Sequence, residues 1–398
     1  MFRTLPPTAA PIQFHDLLSG VFSTLVDHGA ESELKGQIQE YFKVKHVFLV
    51  SSGKAALYLS LRAMQQSSKR KEVIIPAYSS FCLASAVART GLPVKLCDMD
   101  PDTLDFDLAK LKSMVTEKTL AVIPVHNYGL VCNMKEIQEI ALEKGAYVLE
   151  DAAQAAGARV ENRKAGTIGD IGILSLGQGK NICALGGGVI LTDREPLASL
   201  IDEVLDLYPR ESFFPECSSM LTGMGLSLFL RPERYAVPAR LSFLNLGANV
   251  FDPDFRIARL SNVNTEVGRR AFLSLGTYNE IRRRNARLLS HNLCHNESLR
   301  IPKPLVGGQP VYLRFPVLFP EKEVRRRVFW ILRRRRLGAS RSYAVPLNEI
   351  PAFRRYLCAE EDYPGAKFVA DRILTLPTHP YVNESDLQKI VSKIDRIT

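Results

Sequence analysis

The 398-residue chain has no run of about 18 uncharged apolar residues, so no membrane-spanning helix is expected. Its amino terminus, MFRTLPPTAAPIQFHDLLSG, is broken by Pro6, Pro7 and Pro11 before an apolar stretch can grow, and does not read as a secretory signal. The cysteines at 82, 97, 132, 183, 217, 294 and 358 lack any C-x-x-C spacing. An odd, unpatterned set points to reduced thiols in a cytoplasmic protein and argues against a zinc site, so no metal is expected. No internal repeat or low-complexity segment is evident. What remains, 46% hydrophobic and 24% charged residues, is the composition of a globular chain long enough for two domains.

Charge is unevenly spread. Residues 1–255 carry 25 Lys and Arg against 29 Asp and Glu, a net of −4, whereas residues 256–398 carry 27 against 13, a net of +14. The basic half holds the runs Arg282-Arg283-Arg284, Arg325-Arg326-Arg327 and Arg333 to Arg336. Such runs are most often solvated helix faces. The sharper readings are attraction of an anionic nucleotide-sugar or contact with acidic lipid headgroups. Aromatic interleaving and a nucleic-acid motif are missing, so nucleic acid is not expected as a partner.

From Val73 onward, short apolar segments alternate with helix-like stretches: VIIPAYSS, PVKLCDMD, LAVIPVHNYG, AYVLEDAA, IGILSLGQGK and GGVILTD. That order predicts a parallel α/β sheet, whose ligands gather at the carboxyl ends of its strands. Pro76 to Tyr78, His126 to Tyr128, Asp151 and Ser175 to Lys180 all fall at such ends. Among them, Asp151 in VLEDAAQAAGA and Lys180 in ILSLGQGKNICALGGG match two requirements of pyridoxal phosphate chemistry. A carboxylate can keep the pyridine nitrogen protonated, and a lysine can form a Schiff base with the aldehyde. Taken singly, such an Asp is more often a helix N-cap and such a Lys a solvated loop residue. Upstream, Ser51-Ser52-Gly53-Lys54 follows the apolar HVFLV and opens the helix-like AALYLSLRAM, so its backbone N–H groups form either an ordinary capped helix start or a seat for phosphate.

Taken together, PAY after a strand, DMDPDTLDFD, AVIPVHNYG, EDAAQAAGA, the Ser175 to Asn181 spacing S-x4-K-N and GGGVILTD resemble the DegT/DnrJ/EryC1/StrS family of sugar aminotransferases. The likeness is close from about Val47 to Asp193 and resumes more weakly at RLSNV (Arg259 to Val263) and at ILTLPTHPYVNESDLQKIV. The family implies fold type I, a large domain with a mostly parallel sheet followed by a smaller α/β domain, placed here at residues 1–255 and 256–398. It implies pyridoxal phosphate as cofactor and a homodimer. By resemblance, Lys180 carries the Schiff base and moves a proton, while Asp151 pairs with the pyridinium nitrogen. Gln154, three residues on and one helical turn away, meets the ring's phenolic oxygen. Ser175 and the N–H groups around Gly53 and Lys54 hold the phosphate.

The chain departs from that pattern in four places. Lys54 stands where the family has Thr or a similar small residue, and Phe81 follows by one position the family's aromatic near Ser80. Ile257 aligns with an Asn that reaches the neighbouring subunit's cofactor, a loss that the Lys54 cation could offset. Between Asp193 and Arg259 the chain also runs long. The stretch from Cys217 to Leu230, 14 residues, is too short to span a bilayer, and is expected as a buried or inter-subunit helix, with membrane-surface attachment as the alternative. The activity that the resemblance implies is transamination of a keto-sugar attached to a nucleotide, with glutamate as donor, in polysaccharide or glycoconjugate synthesis. The alternatives are a sugar dehydratase of the same family, in which histidine replaces the lysine, and a non-catalytic binding or regulatory protein.

Overall fold

A computed structural model describes residues 3–12, 15–17, 19, 29–209, 221–225, 227–240 and 250–398. Leu34, Ile38 and Phe42, spaced by four, form the buried stripe of α1 (Ala30–Phe42), which Lys43 ends in a left-handed turn. The chain then alternates strand and helix: β1 (His46–Val50), α2 (Gly53–Ser67), β2 (Glu72–Pro76), α3 (Phe81–Thr90), β3 (Val94–Cys97), α4 (Leu108–Met114), β4 (Thr119–Val122), α5 (Met134–Glu143) and β5 (Tyr147–Asp151). A short hairpin, β6 (Arg159–Val160) and β7 (Arg163–Lys164), precedes β8 (Ile171–Ser175), β9 (Gly188–Thr192) and α6 (Glu195–Asp206).

The long strands form one seven-stranded sheet in the order β1-β9-β8-β5-β4-β2-β3. Pairings from β8 through β5, β4 and β2 to β3 are parallel, and β9 is antiparallel to both β8 and β1. Only β9 therefore runs against the rest. The chain between Ser175 and Gly188 forms no crossover helix, so it returns beside the strand it left. That irregular return carries Lys180. The sheet is buried on both sides. One core gathers Leu57, Leu61, Ile75, Val87 and Ile190, and the other gathers Leu34, Ile38, Val122, Ile137 and Leu174.

Beyond the sheet, α7 (Asn262–Phe272) packs beside α1, and α8 (Leu275–Leu293) changes partners along its length. Leu275 belongs with Leu34 and Ile38, whereas Ala286, Leu289 and Leu293 leave both sheet faces for a separate core, the second core of the molecule beside that of the sheet, with Phe315, Val328 and Leu374. That core is built on β11 (Arg314–Leu318) paired antiparallel with β12 (Ile373–Pro377), covered by α9 (Lys322–Arg334) and α11 (Glu384–Ile394). A short β10 (Gly308–Gln309) extends the β6–β7 hairpin, and α10 (Pro364–Arg372) precedes β12. The intervening residues Tyr343, Leu347, Phe353 and Ala366 return to the first core, and the N–H of Leu347 donates to the carbonyl of Ala77 at 2.8 Å. The two cores thus share a seam at the strand ends.

Two sequence readings change here. Arg282 was expected on a solvated face and is fully buried, because its guanidinium finds backbone carbonyls around it; Arg325 is likewise buried and donates to the carbonyl of Asp371. In the apolar stretch Cys217 to Leu230, residues 217–220 and 226 lie outside the described residues. Residues 221–225 and 227–229 are helical, with Gly223 and Met224 packed toward Leu17 and Leu185, but Leu221 is 71% exposed and Leu228 44%. The described part of the segment is thus only partly covered within one chain, which leaves the inter-subunit form of the expectation open to it. Among the described residues, no helix is long and apolar enough to cross a membrane, and no cluster of three or more His, Cys, Asp or Glu is arranged to hold a metal. The cysteines at 82, 97, 132, 183, 294 and 358 form no disulfide, and Cys217 lies outside the described residues.

Candidate active site

Asp151 ends β5 and Ser175 ends the neighbouring β8, with Asp151 registered opposite Ile173. Two residues before Ser175, the strands are already in step, so the carboxylate and the Lys180 loop emerge on the same rim. Asp151 is 6% exposed; its Oδ1 accepts the N–H of Ala153 at 3.0 Å, and Oδ2 has no protein donor among the described residues. Burial raises its pKa, with the charge of Lys180 as the principal opposing influence. Burial lowers the pKa of Lys180, Asp151 and Cys82 pull it back up, and Arg314 presses it down further. Although the two charges sense each other, they form no ion pair within 4.0 Å, and Lys180 Nζ has no hydrogen-bond partner among the described residues. Each is therefore close enough to bias the other's protonation.

The lysine's backbone is held more tightly than its amine. Arg282, whose pKa burial lowers to about 9, donates to the carbonyls of Lys180 at 3.4 Å and of Ala9 at 3.2 Å. Gly179 adopts φ 75°, and a Cβ there would come 2.7 Å from Thr8 Cγ2, so only glycine lets residues 3–12 pass this close to the lysine. Thr8 Oγ1 donates to the carbonyl of Gly179 at 3.0 Å, and His379 Nε2 donates to that of Pro6 at 2.9 Å. The amino-terminal strap is therefore part of the site's wall.

Gly53 opens α2 against Ser175: a Cβ on Gly53 would lie 3.2 Å from Ser175 Cβ. Ser52 caps the helix by accepting the N–H of Ala55 at 3.1 Å, and the first-turn donors of Gly53 and Lys54 share that positive end with the Ser175 hydroxyl. The Lys54 side chain takes another direction. Its Nζ bonds Asp252 Oδ2 at 3.1 Å and sits 4.8 Å from the centre of the Phe255 ring. Ile257, 7% exposed, packs in the first core close by in sequence to Phe255.

Gln154 does not sit on a helix with Asp151; residues 152–157 form successive turns. Its Oε1 accepts the N–H of Tyr128 at 3.3 Å and its Nε2 donates to Tyr343 Oη at 2.8 Å. Phe81 begins α3, half-buried against the first core, and Cys82 is the α3 side chain whose charge reaches Lys180. Sequence reasoning missed Tyr343 and Arg314, which enter from the far end of the chain with no local motif. It also missed the work of Glu150 and His126, both fully buried. His126 Nδ1 accepts the N–H of Cys132 at 3.2 Å, so Nε2 carries the proton and donates it to Glu150 at 2.9 Å. Glu150 also accepts the N–H groups of Gly166 at 2.8 Å and Gly169 at 2.6 Å, fixing the loop beneath Asp151.

A profile of the DegT/DnrJ/EryC1/StrS aminotransferase family matches residues 22–395. The chain belongs to that family. It is 28% identical over 368 residues to the GDP-perosamine synthase of Caulobacter vibrioides, covering 92% of this chain and 89% of that one. It is 27% identical over 364 residues to a UDP-N-acetyl-3-dehydro-alpha-D-glucosamine 3-aminotransferase of Acidithiobacillus ferrooxidans, covering 91% and 87%. The fold is also that of the E. coli GDP-4-keto-6-deoxy-D-mannose-3-dehydratase with bound hydrated PLP, with TM-score 0.79 over the full length of both chains at 20% identity. The family is PLP-dependent, and its curated relatives named here are sugar-modifying enzymes.

Proposed function

We propose that this protein is a pyridoxal phosphate-dependent aminotransferase acting on a keto-sugar carried by a nucleoside diphosphate, with glutamate as donor. The observation that carries this reading is the arrangement of Asp151 and Lys180. A nearly buried carboxylate with one free oxygen and a half-buried lysine sense each other's charge without pairing. A carboxylate that burial disfavours gains from a cationic ring nitrogen, so Asp151 fits the pyridine end. Ser175 and the first turn of α2 fit a phosphate. Bound there, pyridoxal phosphate supplies an aldehyde that takes up amines and a protonated ring that draws electrons from the attached carbon.

The chain's own residues do the rest. Lys180 Nζ, kept neutral more readily by burial, accepts a proton at the nitrogen-bearing carbon of the substrate and returns it on the other side of the exchange. Arg282 and the strap hold that lysine's backbone. Gln154, locked between Tyr128 and Tyr343, walls the site beside Asp151. Lysine at 180 favours transamination over the dehydratase reading. A second copy of the chain is the expected partner, and the exposed Leu221 and Leu228 give it an apolar face to meet. Mass spectrometry of products from nucleotide keto-sugars incubated with glutamate tests the reading: a nitrogen-for-oxygen exchange supports it, whereas loss of water without nitrogen uptake would assign the dehydratase.

A further inference from the structure

Arg314 begins β11, and its strand neighbours Phe315 and Val317 enter the second core. Alternation along a strand turns Arg314 away from Phe315, toward the seam where the two cores meet. Its surroundings are unusual for a cation. Tyr343, Tyr128, Tyr78 and Tyr235 are the groups near enough to influence its charge, and no carboxylate is among them. It makes no ion pair with any described residue. Nη1 reaches Ser340 Oγ at 3.4 Å, a long contact, and Nε is buried with no partner. Arg314 is half-buried, with its Nε wholly enclosed; a guanidinium keeps its proton under all ordinary conditions, so partial withdrawal from water without a counter-ion is a cost that an arriving anion relieves.

Three anions are conceivable in such a site, and position separates them. The cofactor's phosphate belongs at Gly53 and Ser175, on elements of the first core, while Arg314 comes from the second. The diphosphate of a sugar nucleotide lies a sugar ring away from the carbon being aminated. The α-carboxylate of an amino acid sits on the same carbon as the reacting nitrogen. It must therefore lie beside the amine of Lys180, whose charge Arg314 already influences. Ser340 also accepts the N–H of Ser342 at 3.2 Å, and Tyr343 is fixed by Gln154, so the segment supporting the guanidinium is tied to the site's own wall. Tyr235, from the long connection between α6 and α7, stands at the same cation.

We propose that Arg314 is the anion-reading residue of this site and that its ligand is the α-carboxylate of the amino donor. The proposal rests on the transamination reading above and adds to it the group that selects amino acids over simple amines. Its planar fork offers two parallel donors to a carboxylate, which a lysine cannot reproduce.

The test uses the cofactor-loaded full-length protein with glutarate, a donor analogue without an amino group, and separately with UDP, both measured by calorimetry. Arg314→Gln should weaken glutarate by about tenfold to a hundredfold, as expected for loss of a charge-assisted bond, and leave UDP unchanged. Arg314→Lys should recover part of the glutarate affinity, and decides the matter if the glutamine variant folds poorly. Unchanged glutarate affinity in both variants, no glutarate binding by the wild type, or a loss confined to UDP would each overturn the assignment. A prior titration with pyridoxal phosphate separates the two readings: no cofactor uptake by the wild type removes the transamination reading and this one together, whereas uptake with a failed glutarate arm removes this one alone.

Discussion

Gln154 and Tyr343 stand 189 positions apart in the chain and are joined by a hydrogen bond of 2.8 Å from the amide Nε2 to the phenol oxygen. Because Gln154 follows β5 and Tyr343 lies in the return from the second core, this contact links the two parts of the molecule at the candidate site. The bond is buried, so its loss leaves a donor without water to replace its partner. Tyr343→Phe should lower unfolding stability by about 1–3 kcal/mol, and Gln154→Leu added to it should cost much less than the sum of the two changes. Urea denaturation of the two single variants and the double variant measures that coupling; additive losses would mean that the bond does not form.

Lys180 and Asp151 should separate by function. Pyridoxal phosphate added to the wild type should give a visible absorbance that borohydride reduction abolishes, with mass spectrometry placing the reduced adduct on Lys180. In Lys180→Ala both the band and turnover should vanish while the fold persists. Asp151→Asn should keep the adduct and lose most turnover, because a neutral amide cannot hold the ring nitrogen protonated. An adduct on another lysine would overturn the assignment.

His379 makes the fold acid-sensitive. Burial lowers its pKa from 6.5 to about 3; Nε2 is committed to Pro6, and Nδ1 is buried with no acceptor to receive a second proton's bond. As pH falls from 6.5 toward 3, the unfolded chain takes up that proton and the folded one does not. Stability contributed by neutral His379 is thus present above the unfolded value and is lost on acidification, by at most about 1.4 kcal/mol per pH unit. His379→Gln, which keeps a donor for Pro6, should flatten the decline in urea midpoint between pH 6.5 and 4.5. An equally steep decline would assign it to other groups.

Arg282 should matter through the backbone it holds. Arg282→Met removes the donors to Lys180 and Ala9, so residues 3–12 should become readily cleaved by protease and the amides of Gly179 to Asn181 should exchange faster. Arg282→Lys should restore little, since a single ammonium cannot stand in for both Nη2, which serves the two carbonyls, and Nη1, which bonds Asn279 Oδ1. Unaltered cleavage and exchange in the methionine variant would remove the positioning role.

Lys54 and Asp252 form a partly exposed pair, with side chains 21% and 48% exposed. Their coupling should be about 0.2–1 kcal/mol, with Lys54→Ala and Asp252→Asn giving similar losses and little further loss when combined. Cofactor affinity should hold within about twofold in both, since the backbone N–H at position 54 survives. A tenfold weakening of pyridoxal phosphate in Lys54→Ala alone would return the side chain to the phosphate, as its position in the sequence implies.

The sequence by itself determined the strand order of chemistry along the chain. Apolar segments of four or five residues followed by small or polar turns gave β2, β3, β4, β5 and β8, and candidate ligand residues at strand ends follow from that pattern without any tertiary information. Asp151, Ser175, Gly53 and Lys180 were legible as candidates for this reason: each lies inside a local signal whose spacing is set by one strand and one turn. The tertiary structure decided whatever depends on contacts between distant segments. It reversed β9, because no periodic pattern marks the missing crossover. It turned the Lys54 amine to Asp252, took Gln154 off the expected helix and bonded it to Tyr343, and buried Arg282 among carbonyls of the strap and the lysine loop. Arg runs look alike in sequence whether they face water or backbone. Only the packing of α8 across both cores, which withdraws one face of that helix from solvent, distinguishes Arg282 from its neighbours.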